Sequence, residues 1–141
     1  MRVLMDGLIE MIDARVGKFT HIVGLESKGF VLGGILAWHY NLPFVPIRKK
    51  GKLPGECFRQ EYTLEYGTDV VEIQKCALPV GSKVILLDDL LATGGTLAAG
   101  EALIGNIEGV EVVANIVIWE IDFFHGRDKL HKPTHSIIHL E

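Results

Sequence analysis

A chain of 141 residues with 14 Lys and Arg against 18 Asp and Glu, a net charge of −4, lacks the diffuse basic surface that a nucleic-acid binder uses. Its 48% hydrophobic and 23% charged residues are those of a globular protein, and no apolar run approaches the roughly 20 residues of a membrane helix. One core is expected, so residues 1–141 read as a single domain; the first residues lack a signal-peptide pattern, and Cys57 and Cys76, without metal spacing, fit free thiols in the cytoplasm.

Val3, Leu4, Leu8, Ile9, Ile12 and Val16 recur at helical spacing, which predicts an opening helix with one apolar stripe on a sheet. Phe19 to Leu25 reads as a strand, Gly29 to Tyr40 as a buried helix closed by Asn41 and Pro43, and Phe44 to Ile47 as a second strand. Such alternation predicts an α/β domain whose mainly parallel sheet is flanked by helices. Arg48 to Phe58, rich in charge and interrupted by Gly51, Pro54 and Gly55, reads as a long exposed loop of the kind that is usually functional. Its cations Arg48, Lys49, Lys50 and Lys52 crowd one stretch.

Val70 to Ile73 and Val84 to Leu87 resume the strand pattern around a turn at residues 78–81. A helix over Thr96 to Ile107, a strand over Val110 to Trp119 and a last strand over Ser136 to Leu140 complete the chain. His131, His135 and His139 stand four residues apart, yet Pro133 and the β-like Ser-Ile-Ile-His-Leu deny them a common helix, so no metal site is expected there.

The most informative stretch runs from Val84 to Thr96, where an apolar strand ends in Asp88 and Asp89, then a glycine-rich turn leads into a helix. The strand is short and wholly apolar, as in a sheet buried on both faces, so the acids emerge at its carboxyl end, where open α/β sheets bind ligands. Gly94 and Gly95 allow close approach of the backbone to an anion, and Thr93 and Thr96 add hydroxyls at a helix amino terminus. Adjacent carboxylates would repel a phosphate unless they faced hydroxyl donors or a cation. A phosphorylated sugar with free hydroxyls satisfies both halves of the stretch. Walker A and dinucleotide fingerprints are absent.

These thirteen residues resemble a motif of the type I phosphoribosyltransferases, in particular their adenine-specific branch, and the resemblance covers nearly the whole chain. Gly24 to Phe30 is similar to the family's pyrophosphate loop, Ile47 to Gly55 to its basic segment, and Leu64 to Gly67 with Glu72 to Lys75 to its mobile catalytic loop and the strand that follows. Gly126 to Leu130 is also similar. The resemblance implies a three-layer, Rossmann-like fold and transfer of the phosphoribosyl group of 5-phosphoribosyl 1-pyrophosphate to adenine, giving AMP and pyrophosphate in purine salvage. It also implies Mg²⁺, held mainly by substrate, a homodimer, and a cis Glu26–Ser27 peptide.

By the same resemblance the 5′-phosphate meets Ala92, Thr93, Gly94, Gly95 and Thr96, and the ribose hydroxyls meet Asp88 and Asp89. Pyrophosphate lies on Ser27, Lys28 and Gly29, with Arg48, Lys50 or Lys52 reaching in. Glu65 and Tyr66 sit on the closing loop, Glu65 as the group assisting proton loss from the base. Leu90 packs on the purine, and Ala92 stands where relatives acting on 6-oxopurines carry an acid. Relatives commonly have Asp and Arg where this chain has Glu26 and Lys28; a lysine keeps the charge but loses the bidentate fork. They also begin with a further hood segment over the base, whereas Met1 falls within the following helix, so weaker base binding than sugar binding is expected. The alternatives are a non-catalytic sugar-phosphate sensor and a transferase for another base such as xanthine.

Overall fold

In the computed structural model, which describes residues 1–141, the predicted alternation becomes an eight-stranded sheet with helices on both faces. The strands are β1 (His21–Leu25), β2 (Phe44–Lys49), β3 (Cys57–Leu64), β4 (Gly67–Gln74), β5 (Lys83–Leu87), β6 (Leu90–Leu91), β7 (Glu111–Ile121) and β8 (Thr134–Leu140). Their order is β3-β4-β2-β1-β5-β7, with β8 on the far edge of β7 and β6 pairing with β7 beyond the end of β5. The pairs from β2 through β8 are parallel, while β3 and β4 form an antiparallel hairpin attached to β2.

Helices α1 (Arg2–Arg15) and α2 (Lys28–Tyr40) cover one face, and α3 (Gly95–Gly105) covers the other. β5 shows why an unbroken apolar run is needed here. Ile85 and Leu87 join Leu8, Ile12 and Leu36 under α1 and α2, while Val84 and Leu86 join Leu97, Leu103 and Ile104 under α3. Every residue from Val84 to Leu87 is fully buried. In α1 the expected stripe is shifted: Leu8 and Ile12 are buried with Met5, but Val3 is exposed. No helix is long and apolar enough to cross a membrane.

The stretch expected as a loop from Arg48 to Phe58 is shorter than that. Arg48 and Lys49 finish β2, and Cys57 and Phe58 begin β3, a strand the apolar pattern does not reveal because only Phe58 and Tyr62 reach the core from its alternating positions. The connecting loop is held from inside by Glu72, fully enclosed on β4, which accepts the Gly51 N–H at 2.8 Å and the Arg59 guanidinium. Those two donors keep the Glu72 carboxyl below the ordinary range, with Arg59 the larger cause.

β7 departs twice from strict alternation. Val84 pairs with Val112 but Ile85 pairs with Ala114, so Val113 is an extra residue. Further along, the Asp89 carbonyl accepts both the Ile118 and the Trp119 N–H, at 3.1 and 2.9 Å. Two consecutive amides share one acceptor there, so alternation slips although the register is kept, with Leu87 opposite Ile116 and Leu90 opposite Trp119.

Candidate active site

The carboxyl ends of β1, β2 and β5 open on the same edge of the sheet, each handing the chain to a polar residue: Glu26 after β1, Lys49 at the end of β2, Asp88 and Asp89 after β5. They border a cavity of about 380 Å³ that is lined by Asp88 through Leu97 together with Glu26, Lys49, Tyr62 and Leu64. Eight sequence-predicted residues thus come together: Asp88, Asp89, Leu90, Ala92, Thr93, Gly94, Gly95 and Thr96.

The turn into α3 is built for an anion. Gly94 takes the left-handed conformation at φ +86° and its carbonyl accepts the Ala98 N–H at 2.9 Å, so α3 begins on the cavity wall. No side chain caps this terminus. Its first N–H groups are therefore free for a ligand, and the helix dipole favours negative charge.

The acid pair bridges β5 and β6. Asp88 donates its N–H to the Ile116 carbonyl at 3.1 Å, and Asp88 Oδ1 accepts the Asp89 N–H at 2.8 Å. Asp89 lies 3.6 Å from the exposed Lys28 ammonium. Burial, then the neighbouring Asp89 carboxyl, push the Asp88 carboxyl up to about 8 against the pull of that amide. Such a group awaits hydroxyl donors or a cation.

A pH dependence follows. Asp88 keeps its proton in the folded chain where the unfolded chain has lost it, so its contribution to stability is whole below about 4 and is lost as pH rises towards about 8. Asp88→Asn, which cannot ionise, is expected to match the wild type near pH 4 and to exceed it progressively up to pH 8, by at least ~1 kcal/mol or a few degrees in Tm. Thermal unfolding of the ligand-free proteins across that range checks this; a constant difference would show Asp88 ionised throughout.

The cations sort by strand parity. Lys49 lies on the same side of β2 as Val45 and Ile47 and lines the cavity, its ammonium 3.2 Å from Asp69 and its N–H donating to Glu26 Oε1 at 2.5 Å. The Asp69 hydrogen bond raises the Lys49 pKa further. Arg48 turns to the other side, over the Phe30 ring at 5.7 Å and 3.7 Å from Glu26. Lys50 and Lys52 are exposed on the loop that Glu72 anchors, and Ser27 and the buried Gly29 flank Lys28 where α2 begins. The Glu26–Ser27 peptide is cis, as the resemblance implies.

Glu65 and Tyr66 stand at the tip of the β3–β4 hairpin, outside the cavity, with Tyr66 95% exposed; their neighbour Leu64 lines it. Sequence reasoning did not select Glu26, Lys49 or Tyr62. Extending β2 by two residues would have found Lys49, since alternation from Val45 and Ile47 points it at the cavity.

The profile of the phosphoribosyl transferase domain matches residues 3–137. Adenine phosphoribosyltransferase 1 of Saccharomyces cerevisiae is 48% identical over 124 residues, which are 88% of this chain and 66% of that protein's length. The crystal structure of adenine phosphoribosyltransferase from Thermoanaerobacter pseudethanolicus superposes with a TM-score of 0.93 at 41% identity, covering 99% of this chain and 80% of that one. The S. cerevisiae enzyme complexed with an imino-altritol bisphosphate and adenine gives 0.90 at 43% identity, covering 96% and 78%. On the match of the domain profile and of these relatives, the chain belongs to the phosphoribosyltransferase family and, within it, to the adenine phosphoribosyltransferases.

Proposed function

We propose that this chain transfers the phosphoribosyl group of 5-phosphoribosyl 1-pyrophosphate to adenine, giving AMP and pyrophosphate, with residues 1–141 acting as one phosphoribosyltransferase domain. The observation that carries the reading is one cavity holding an acid pair at one end and an uncapped helix amino terminus with a left-handed glycine at the other. The terminus suits a 5′-phosphate, through the Gly94 to Thr96 N–H groups and the Thr93 and Thr96 hydroxyls. Asp88 and Asp89 accept the ribose hydroxyls, and as these donors arrive the Asp88 proton is released. Ser27, Lys28 and Gly29 take the pyrophosphate, with Lys49 added to the cations Arg48, Lys50 and Lys52 named from the sequence.

In the reaction a ring nitrogen of adenine attacks the anomeric carbon while the bond to the pyrophosphate oxygen breaks, its electron pair leaving with pyrophosphate. The sugar passes through a cationic, oxocarbenium-like state, which the negative field of Asp88 and Asp89 stabilises. The attacking base loses a proton, and Glu65 on the hairpin tip is assigned to help remove it. Closure of that hairpin, with Tyr66, keeps water from the same carbon. Leu90, 41% exposed, offers an apolar face to the purine, and the small Ala92 leaves room beside it.

Asp88 and Asp89 border the cavity where the sugar and phosphate oxygens of the donor would gather, and a hard divalent cation takes such oxygens with few protein ligands. Mg²⁺, bound mainly through substrate oxygens, supplies charge neutralisation to the leaving pyrophosphate. A reducing, cytoplasmic setting agrees with the free thiols of Cys57 and Cys76, and the exposed Val31 and Trp38 on the outer side of α2 suit a second copy of the chain.

Product formation with Mg²⁺, the sugar donor and each of adenine, hypoxanthine, guanine and xanthine tests the reading. AMP as the dominant product is expected. Preference for another base would move the chain to a different transferase, and donor binding without any product would make it a sensor.

A further inference from the structure

The segment from Gly126 to Leu130 has no place in the chemistry above, yet its backbone packs directly against the phosphate turn. A methyl group built on Gly126 would lie 2.2 Å from the Ala92 carbonyl oxygen and 2.9 Å from a Leu91 methyl, and one built on Gly94 would lie 2.4 Å from the Gly126 carbonyl oxygen. Two stretches of backbone therefore meet with no side chain between them, one being the turn that leads into α3. Only glycine at both positions permits that spacing.

The next residue fixes this contact to the sheet. Arg127 grips Glu120 with both prongs of its guanidinium, Nε to Oε2 at 2.8 Å and Nη2 to Oε1 at 2.7 Å, and its third nitrogen donates to the Thr134 carbonyl on β8. Glu120 is 5% exposed and also accepts the Ser136 hydroxyl at 2.7 Å. Burial alone would raise its carboxyl, but the Arg127 and Ser136 hydrogen bonds prevail and hold it below the ordinary range. Glu120 is in turn the residue of β7 that pairs with Leu91, immediately before the turn. A closed ring results: Leu91 to Glu120 through the strand pair, Glu120 to Arg127 through the fork, and Gly126 back onto Ala92.

We propose that Arg127 is a positioning residue for the sugar 5′-phosphate, its fork to Glu120 pressing the Gly126 backbone against the Ala92–Gly94 turn and so fixing the direction of the N–H groups that receive the phosphate. The inference rests on the assignment of that turn to the 5′-phosphate. It predicts a selective defect, because the pyrophosphate groups on α2 are not part of the ring. It also predicts that charge alone does not suffice, since a lysine in place of Arg127 cannot form the fork.

Calorimetric binding of ribose 5-phosphate and, separately, of pyrophosphate with Mg²⁺ tests this in wild type, Arg127→Lys, Gly126→Ala and the paired Glu120→Gln, Arg127→Met. The paired variant avoids leaving a buried unpaired carboxylate, which would by itself destabilise the fold. Ribose 5-phosphate affinity is expected to fall at least ~10-fold in each variant while pyrophosphate affinity stays within about twofold. Equal losses for both ligands, in step with a fall in Tm, would show a purely structural role and overturn the inference. So would full ribose 5-phosphate binding by Arg127→Lys and by the paired variant. If wild type itself bound pyrophosphate but no ribose 5-phosphate, the phosphate-turn assignment would fall, and this inference with it.

Discussion

Asp88→Asn combined with Asp89→Asn is expected to lower kcat/KM for the sugar donor roughly 10²–10³-fold, the size of effect seen when preorganised groups at a developing charge are removed. The amides still accept hydrogen bonds from the ribose hydroxyls, so the loss reports the negative field rather than the loss of contacts. The fold should not suffer. Asp88 is anchored through its backbone N–H to Ile116, and its carboxyl is already pushed up to about 8 in the ligand-free protein, so the neutral side chain suits the site when it is empty. Steady-state kinetics and thermal unfolding on the same preparation distinguish the outcomes. Near wild-type kcat/KM in a well-folded double variant would remove the pair from ribose binding.

The second large effect separates two adjacent glycines. Gly94→Ala is expected to destabilise the fold and to abolish most sugar-phosphate binding, because its φ of +86° costs an L residue about 1–2 kcal/mol and its new methyl would meet the Gly126 carbonyl at 2.4 Å. Gly95→Ala should behave differently. Nothing of the protein lies within 4 Å of the methyl it would gain, and alanine is the better helix former by up to about 1 kcal/mol, so Tm should hold or rise. The methyl would project where the phosphate approaches the first turn of α3, and the donor KM is expected to rise by ~10-fold or more. Donor kinetics with unfolding curves for both variants check the contrast. A Gly95→Ala enzyme with an unchanged donor KM would place the phosphate elsewhere.

Much of this site was legible because its decisive residues are contiguous. An apolar run, two acids, a glycine turn and a helix lie within thirteen residues, so local chemistry alone put Asp88, Asp89 and Gly94 to Thr96 in one place. Lys49 and Glu26 were harder to see because their roles depend on pairing. Whether Arg48 or Lys49 faces the cavity is decided by β2 continuing through both, and it continues because β4 lies alongside, pairing Val71 with Lys49. Tyr62 belongs to a strand whose other residues are mostly polar, and that strand exists because it pairs along its whole length with β4. Arg127 was visible only as a resemblance, since nothing in Gly-Arg-Asp-Lys-Leu announces that its partner is a buried acid on β7.

The two irregularities of β7 act on the strand as paired frameshifts act on a reading frame. Val112 faces the α3 side, the extra Val113 resets the phase so that Ala114, Ile116 and Ile118 face α1 and α2, and Asn115 and Val117 face α3. The second slip, at Ile118 and Trp119, restores the original phase, and that restoration delivers Glu120 to the side where Arg127 and the Leu91 side chain wait. Deleting Val113 would remove only the extra residue and leave every later side chain on its present face, whereas one residue inserted between Ala114 and Val117 would turn those that follow it to the opposite face. The strand thus has room to lose a residue at the slip but not to gain one beyond it, and the cradle's alignment is written as a count of residues along a strand as much as in their identities.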